Sequence, residues 1–343
     1  MKHFCLKLHR WLAIPFGVLI FIICITGAIL VFQTEIQKAL NSDLYHVEVP
    51  SGTQMLPDKE LAAKIIDQLD EGQSITFIQL SDEEGATAQV NIAGMGQKNL
   101  FVNPYTGEVL GYPRYTEFFD GVKSLHRWLF NKPENHQQGT LSAGRIIVGI
   151  SAIAMSLILI TGIIIWWPKN RKMLKARLKV RTGKGFRWFA YDSHVSLGIY
   201  AAVFLLLMSL TGPTWSFQWY KSGAQAIVGA SDDFRVDEKR QGGKNVMEFR
   251  HQESQTKAEK QKPEDVNVMR VTADQQQKGG GGFHMLMSSL HMGRWAGWFS
   301  KLIYMLAAII GATLPLSGYY MWWKRTQLKR KAKNIKPKEQ NGQ

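Results

Sequence analysis

The chain has 343 residues, of which 45% are hydrophobic, and it carries a formal net charge of +15 at pH 7. Its mean hydropathy of −0.15 is typical of a soluble protein, but the apolar residues are concentrated in four stretches without a charged residue. These stretches are residues 12–32, 146–167, 195–217 and 302–323. Each can cross a membrane, since about 20 apolar residues span the hydrocarbon core. Four such stretches exclude a cytosolic enzyme, and the polar remainder excludes a protein made only of membrane helices.

The basic residues follow the positive-inside rule. Of the 42 Lys and Arg residues, 20 lie in segments 1–10, 169–187 and 324–338, which flank the apolar stretches. The rule places both termini and the loop 169–190 in the cytoplasm, and segments 34–140 and 218–297 outside it. Topology and attraction to anionic lipid explain the positive charge, so no nucleic acid partner is predicted. The first apolar stretch is predicted to be a retained helix, because no A-x-A-like cleavage site follows it.

The predicted fold class is an α-helical membrane protein, with four transmembrane helices in two parallel helix-pair repeats and an extracytoplasmic α+β domain. In chain order the predicted parts are transmembrane helix 1 (1–33), an extracytoplasmic segment (34–140) with the α+β domain at about 57–112, transmembrane helix 2 (141–168), a basic cytoplasmic loop (169–190), transmembrane helix 3 (191–217), a second extracytoplasmic segment (218–297), transmembrane helix 4 (298–323) and a basic cytoplasmic tail (324–343). The protein is therefore expected to be multi-pass, with the lipid bilayer as its first partner.

The α+β domain is predicted from periodicity. Apolar residues at helical spacing predict a helix over residues 58–69. Strand-like stretches follow at 74–80, 88–92, 98–102 and 109–112, with a turn at 103–108. In the second extracytoplasmic segment the stretch 242–282 is polar, and part of it, including Gly279–Gly282, is predicted to be a flexible loop. The α+β domain contains no catalytic constellation, metal-binding cluster or nucleotide-binding motif, so no catalytic residue is predicted.

Two halves of the chain, about 1–175 and 185–330, share the same order of motifs. A histidine precedes each first helix, which ends in Thr-Gly 18 residues later. A Leu-His pair precedes each second helix, which ends in [ST]-G-x-x-x-W-W. Because each half has two helices, the halves run in the same direction and should be related by a pseudo-twofold axis along the membrane normal. The repeat-equivalent residues are His9 and His194, Gly27 and Gly212, His126 and His291, and Gly162 and Gly318.

The symmetry pairs the histidines at opposite faces of the membrane, His9 with His194 at the cytoplasmic face and His126 with His291 at the outer face. Two facing histidines suggest bis-imidazole ligation of a haem iron. Alternatively, the four are ordinary interfacial histidines. The spacing from His126 to Gly162 exceeds that from His291 to Gly318 by nine residues, so His126 is predicted on a separate short helix before a loop at about 131–140. The other histidines have no repeat-equivalent partner; they are His3, His46, His136, His251 and His284.

The glycines and three arginines extend this candidate site. Gly27, Gly162, Gly212 and Gly318 could leave room for a flat macrocycle, or could allow close packing of helices. Guanidinium groups match carboxylates, so the arginines next to the histidine motifs could pair with haem propionates. They could equally be charges that bracket the helix ends. These arginines are Arg10, Arg127 and Arg294.

The predicted helix and strands, which end in V-N-P-Y-T-G-E-V at residues 102–109, resemble a PepSY domain. With the L-H-R-W, T-G and W-W-[PK] elements, nearly the whole chain resembles the bacterial PepSY-associated transmembrane family, sometimes labelled iron-regulated membrane proteins. Members of this family include inner-membrane ferrisiderophore reductases that carry two b-type haems. The resemblance implies a bacterial inner-membrane protein in which His9, His126, His194 and His291 ligate the iron of two haems b.

Three functions are compatible with the sequence. The first is a dihaem electron carrier that reduces an extracytoplasmic acceptor such as a ferric siderophore or another ferric chelate, which would make it a ferric-chelate reductase. Its donor would be a quinol or a protein, because the sequence has no nucleotide-binding motif. The second is a membrane-anchored PepSY regulatory or binding module without redox activity. The third is a small-solute transporter, which is less favoured because the four apolar stretches carry no midplane charge.

Overall fold

The computed structural model describes residues 1–49, 52–93, 99–132, 141–229, 261–271 and 282–335. The chain divides into two compact units. The first unit consists of Met1–Phe32, Gly121–Ala224 and Met287–Gln343, and the second of Gln33–Asp120 and Gln225–Leu286. Each unit is therefore assembled from segments that are far apart in the sequence.

The first unit is helical. Its elements are α1 (Lys2–Val31), the end of α5 (Thr116–Trp128), α6 (Ala143–Trp166), α7 (Arg171–Arg177), α8 (Phe186–Thr211), α9 (Pro213–Ser216), the start of α10 (Gln218–Val228), the end of α11 (Gly282–Met292) and α12 (Gly297–Ile335). Four of these helices, α1, α6, α8 and α12, are long and apolar enough to cross a membrane. The predicted number of transmembrane helices is confirmed.

The four long helices form a bundle in the cyclic order α1, α6, α8, α12. Its centre is an apolar cluster to which all four contribute, and Leu205 of α8 is fully buried there. A Cβ atom added to Gly311 of α12 would lie 2.8 Å from Leu205 and 3.0 Å from the sulfur of Cys24. Small residues at such contacts let helices approach closely inside a membrane. Ser156 also donates a hydrogen bond to Ser209 (2.9 Å), which joins α6 to α8.

Two of the helices begin or end outside their predicted bounds. α8 begins at Phe186, before the predicted start at residue 191, and α12 continues to Ile335, past the predicted end at residue 323. The predicted loop 169–190 also contains α7, whose first turn is capped by the Asn170 side chain accepting from the Met173 amide (2.8 Å). The limits of a charge-free stretch mark where a helix leaves the lipid, but Lys and Arg are good helix formers and continue it beyond.

The second unit is a small α+β fold. It contains α2 (Gln33–Leu40), α3 (Ser42–Tyr45), α4 (Asp58–Gln68), β1 (Ile75–Ser81), β2 (Ala88–Ile92), β3 (Asn99–Val102), β4 (Val109–Gly111), a 3-10 turn (Pro263–Asp265) and β5 (Asn267–Val271), with parts of α5, α10 and α11. The sheet has the order β4-β3-β2-β1-β5, in which β5 runs parallel to β1 and the other pairs are antiparallel. The apolar face of α4, with Leu61 and Ile65 fully buried, packs on this sheet.

The helix and four strands predicted between residues 58 and 112 are present with ends shifted by no more than two residues. In the turn between β3 and β4, the Asn103 side chain accepts from the Tyr105 amide (2.9 Å), and Gly107 has a φ of +79°. A Cβ on Gly107 would lie 2.7 Å from Lys64, so both the backbone and the space require glycine there. β5 was not predicted. Of the predicted loop Gly279–Gly282, Gly282 begins α11 and the rest lies outside the described residues.

Candidate functional site

The first unit brings the four predicted histidines together as two facing pairs. The ring centroids of His9 on α1 and His194 on α8 are 6.4 Å apart, with an angle of 78° between the ring planes. Those of His126, near the end of α5, and His291, near the end of α11, are also 6.4 Å apart, at 62°. His126 and His291 thus both lie on short helices outside the four long ones.

Every one of these rings is held in the same way by a neighbouring helix. The Nδ1 atom of each ring contacts a side-chain hydroxyl at 2.9 to 3.2 Å, and the ring also hydrogen-bonds the backbone of the residue three positions earlier. For His9 and His291 this second partner is a carbonyl that contacts Nδ1 at 2.9 and 3.0 Å. The carbonyl and hydroxyl residues are Ile158 and Thr161 for His9, Leu314 and Ser317 for His194, Ile23 and Thr26 for His126, and Met208 and Thr211 for His291. The hydroxyls belong to the T-G and S-G motifs.

The direction of these hydrogen bonds determines the tautomer of each ring. Each hydroxyl donates its single hydrogen to carbonyls in the preceding turn of its own helix, as Thr161 does to the carbonyl of Leu157 (2.8 Å). It can therefore only accept from the imidazole, and so can the backbone carbonyl. The proton must then lie on Nδ1, which leaves the lone pair on Nε2. Within the described residues, the hydroxyl contacts of all four rings and the carbonyl contacts of His9 and His291 use Nδ1, so Nε2 is available as a metal ligand.

The glycine that follows each hydroxyl residue makes room for the edge of the ring. A Cβ atom on Gly27 would lie 3.2 Å from Cε1 of His126, and one on Gly162 would lie 3.3 Å from Cε1 of His9. The corresponding distances are 3.6 Å from Gly212 to His291 and 3.7 Å from Gly318 to His194. The four glycines predicted as site residues therefore lie next to the imidazole rings. Carbonyl, hydroxyl and glycine together form a histidine cradle, which occurs four times in the first unit.

The separation within each pair fits two ligands of one iron atom. The 6.4 Å between the ring centroids leaves room for one metal atom between the two rings of a pair, since each ligating nitrogen would lie about 2 Å from it. No group of three or more His, Cys, Asp or Glu side chains that could hold a bare metal ion occurs in the described part of the chain. Two imidazoles would instead suit an iron whose other ligands come from a porphyrin, so the residues of each pair fit a haem.

A cavity of about 520 Å³ adjoins the His9–His194 pair. That volume is in the range of small-molecule and cofactor sites. The lining is mostly apolar and comes from all four long helices, and it includes Arg10, Arg177 and Arg325. Arg10 was predicted from the sequence, whereas Arg177 and Arg325 were not. Arg177 also donates to the carbonyls of Ile165 (3.1 Å) and Trp166 at the end of α6. Three guanidinium groups beside an apolar cavity match the propionates of a haem.

The surroundings of the His126–His291 pair are aromatic. The ring of Trp215 meets that of His291 edge-on at 5.2 Å, and Arg145 donates from Nε to the Trp215 carbonyl (2.9 Å). Sequence reasoning missed both residues. Arg127 lies over the ring of Trp128 at 4.4 Å, and Arg294 is exposed.

Burial also determines the protonation state of His126 and His291. It lowers the pKa of His126 to about 4, with a further contribution from the charge of His291. It lowers the pKa of His291 to about 4 as well. Both rings are therefore neutral at pH 7, the form that binds metals.

The four long apolar helices define a multi-pass membrane protein, and the paired histidines define a candidate cofactor site within it. The profile of the family described as PepSY-associated TM region matches residues 6–325, so the chain belongs to that family. The match includes all four histidines and all four glycines of the cradles. No curated protein matches the sequence of the chain.

Proposed function

We propose that the chain binds two b-type haems, one at each histidine pair, and carries electrons across the membrane. The observation that carries this proposal is the fourfold histidine cradle, which presents two Nε2 lone pairs at a centroid separation of 6.4 Å at two places. Along α1, His9 and the Gly27 that contacts His126 are 18 residues apart, which is about 27 Å of helix. The two sites are therefore separated by most of the thickness of a bilayer.

The residues of the chain have distinct roles in this proposal. The histidines hold the iron, while the carbonyls and hydroxyls orient the rings and keep their protons on Nδ1. Arg10, Arg177 and Arg325 would bind propionates at the His9–His194 site. When bound, haem supplies one-electron redox chemistry, and the apolar lining keeps water away from it.

The proposed direction of transfer is from a quinol or protein donor in or near the membrane to an extracytoplasmic acceptor. The family resemblance supports a ferric siderophore or another ferric chelate as that acceptor, which would make the protein a ferric-chelate reductase of the bacterial inner membrane. The basic segments near His9 and His194 support a cytoplasmic position for that pair, so the acceptor would meet the His126–His291 pair.

The first prediction concerns the visible spectrum. Protein purified in detergent from haem-replete cells should show low-spin b-type spectra when oxidised and when reduced with dithionite, because two imidazoles make the iron six-coordinate. The pyridine haemochrome should be of b type, since the chain has no C-x-x-C-H motif and its two cysteines are Cys5 and Cys24. A c-type haemochrome would contradict the proposal.

The second prediction concerns sidedness. A reporter that is active only in the cytoplasm should be active when fused after residue 343 and inactive when fused after residue 110, because the basic flanks orient the helices. The complementary reporter, active only outside the cytoplasm, should give the opposite result at both positions. Cytoplasmic activity after residue 110 would mean that each histidine pair lies at the opposite face of the membrane, which would refute the proposed direction of transfer.

A membrane-anchored binding module is the second candidate. The α+β unit has an apolar cluster of its own, made by α4 and the sheet, and such a unit can serve as a recognition domain. A colourless preparation from haem-replete cells would support this function and contradict electron transfer.

A further inference from the structure

A second cavity of about 410 Å³ lies between the start of α8 and the end of α12. Three cations line it, Arg187, Lys324 and Arg325, together with the aromatic rings of Trp188, Tyr191 and Tyr320. Tyr191 and Arg325 also line the cavity beside His9 and His194, so the two cavities adjoin. Nothing in the proposed electron transfer uses Arg187 or Lys324.

The positive charge of this cavity is not neutralised by acids of the elements that form it. Segments 169–217 and 297–335 contain a single acidic residue, Asp192. Its carboxylate is already paired with Arg181, through Nε at 2.6 Å and Nη2 at 2.7 Å. The cavity is therefore electrostatically suited to an anion.

Aromatic contacts involve three of the residues that line the cavity, Trp188, Tyr320 and Lys324. The guanidinium of Arg181 lies 4.7 Å from the centre of the Trp188 ring, so the ion pair between Arg181 and Asp192 also positions Trp188. Phe186 meets Tyr320 edge-on at 5.0 Å and joins α8 to α12. The ammonium of Lys324 lies 4.9 Å from the centre of the Trp323 ring. These contacts restrict the side chains of Trp188, Tyr320 and Lys324, which lowers the cost of ordering them around a ligand.

The position of the cavity indicates which kind of anion it would bind. Its residues lie where the charge-free stretches 195–217 and 302–323 meet basic flanks. At such ends of transmembrane helices Trp and Tyr are enriched, at the level of the lipid headgroups. A quinol is a poorer occupant, because the lining has no carboxylate or imidazole to accept its protons. We propose that this cavity binds the phosphate of an anionic phospholipid, with Arg187 and Lys324 as its main ligands.

The test uses the full-length protein purified in neutral detergent, with phosphatidylglycerol added and bound lipid counted by native mass spectrometry. The double variant Arg187→Gln/Lys324→Gln should bind phosphatidylglycerol about ten-fold more weakly than the unaltered protein, because it removes two cations from the headgroup site. Lys329→Gln/Arg330→Gln is the matched control. It removes the same charge from exposed residues of α12 outside the cavity and should weaken binding less than two-fold.

Each other outcome overturns the proposal. Equal weakening by both double variants would mean general attraction to a basic surface, and no weakening by either would mean that the cavity binds no headgroup. Binding of inorganic phosphate with the same dependence on Arg187 and Lys324, together with no preference for phosphatidylglycerol over phosphatidylcholine, would assign the cavity to a soluble phosphate. If the double variant does not fold, the charge-preserving Lys324→Arg and the single variant Lys324→Gln provide the same comparison.

Discussion

His9→Ala and His194→Ala should each remove the same haem, reducing the haem content from about two to about one per chain. The reason is that a low-spin iron held by two imidazoles loses its stable coordination when either is deleted. The double variant should lose little more than either single variant, because residues that act as one unit are not additive. His126→Ala and His291→Ala should behave in the same way at the other site. The measurement is the pyridine haemochrome per chain, with reduced spectra to show which haem remains.

The chain provides matched controls for these variants. His3 lies on α1 with His9, and His284 is exposed on α11 with His291. His3→Ala and His284→Ala should retain both haems. If His9→Ala and His126→Ala depleted one haem while His194→Ala depleted the other, ligation would run within each half of the chain. That result would be incompatible with the 6.4 Å separations between the halves.

The sequence was sufficient to predict those elements of the fold that depend on local patterns. Charge-free stretches indicated the four long helices, and short-range periodicity indicated α4 and β1 to β4. β5 was missed because its five residues pair with β1 in parallel, and the paired residues Phe77 and Asn267 are far apart in sequence. A short strand of this kind is stabilised by a partner that no local pattern identifies.

For the same reason, only part of the candidate site could be predicted. The repeat of motifs was enough to pair the histidines and to mark the T-G and S-G positions. It could not show that the hydroxyls accept from Nδ1 or that the glycines face Cε1, because these contacts depend on the rotation of one helix against another. Arg177 was missed because it is one of nine basic residues in the 169–187 segment, and only the packing of α7 distinguishes it.

A further prediction concerns the hydroxyl groups of the histidine cradles. Thr161→Val removes the hydroxyl that accepts from His9 at 3.2 Å and leaves the Ile158 carbonyl as the only acceptor. Loss of such a supporting partner typically costs ten-fold or more in metal affinity, so haem should be released from the His9–His194 site about ten-fold faster. A weaker hydrogen bond also makes the imidazole a poorer donor to ferric iron. The midpoint potential of that haem should therefore rise, by up to about 59 mV if the ferric form alone weakens ten-fold.

Two variants separate this effect from a general loss of stability. Thr161→Ser keeps the hydroxyl and should restore both haem retention and potential, as Ser317 occupies the equivalent position in the cradle of His194. Thr313→Val removes a hydroxyl that bonds to the Ile310 carbonyl of its own helix (2.8 Å), so it should leave the potential unchanged. Redox titration and the rate of haem transfer to a scavenging protein measure the two quantities. Equal potentials in Thr161→Val and Thr313→Val would show that the hydroxyl only packs against His9, and the tautomer argument would then lose its functional consequence.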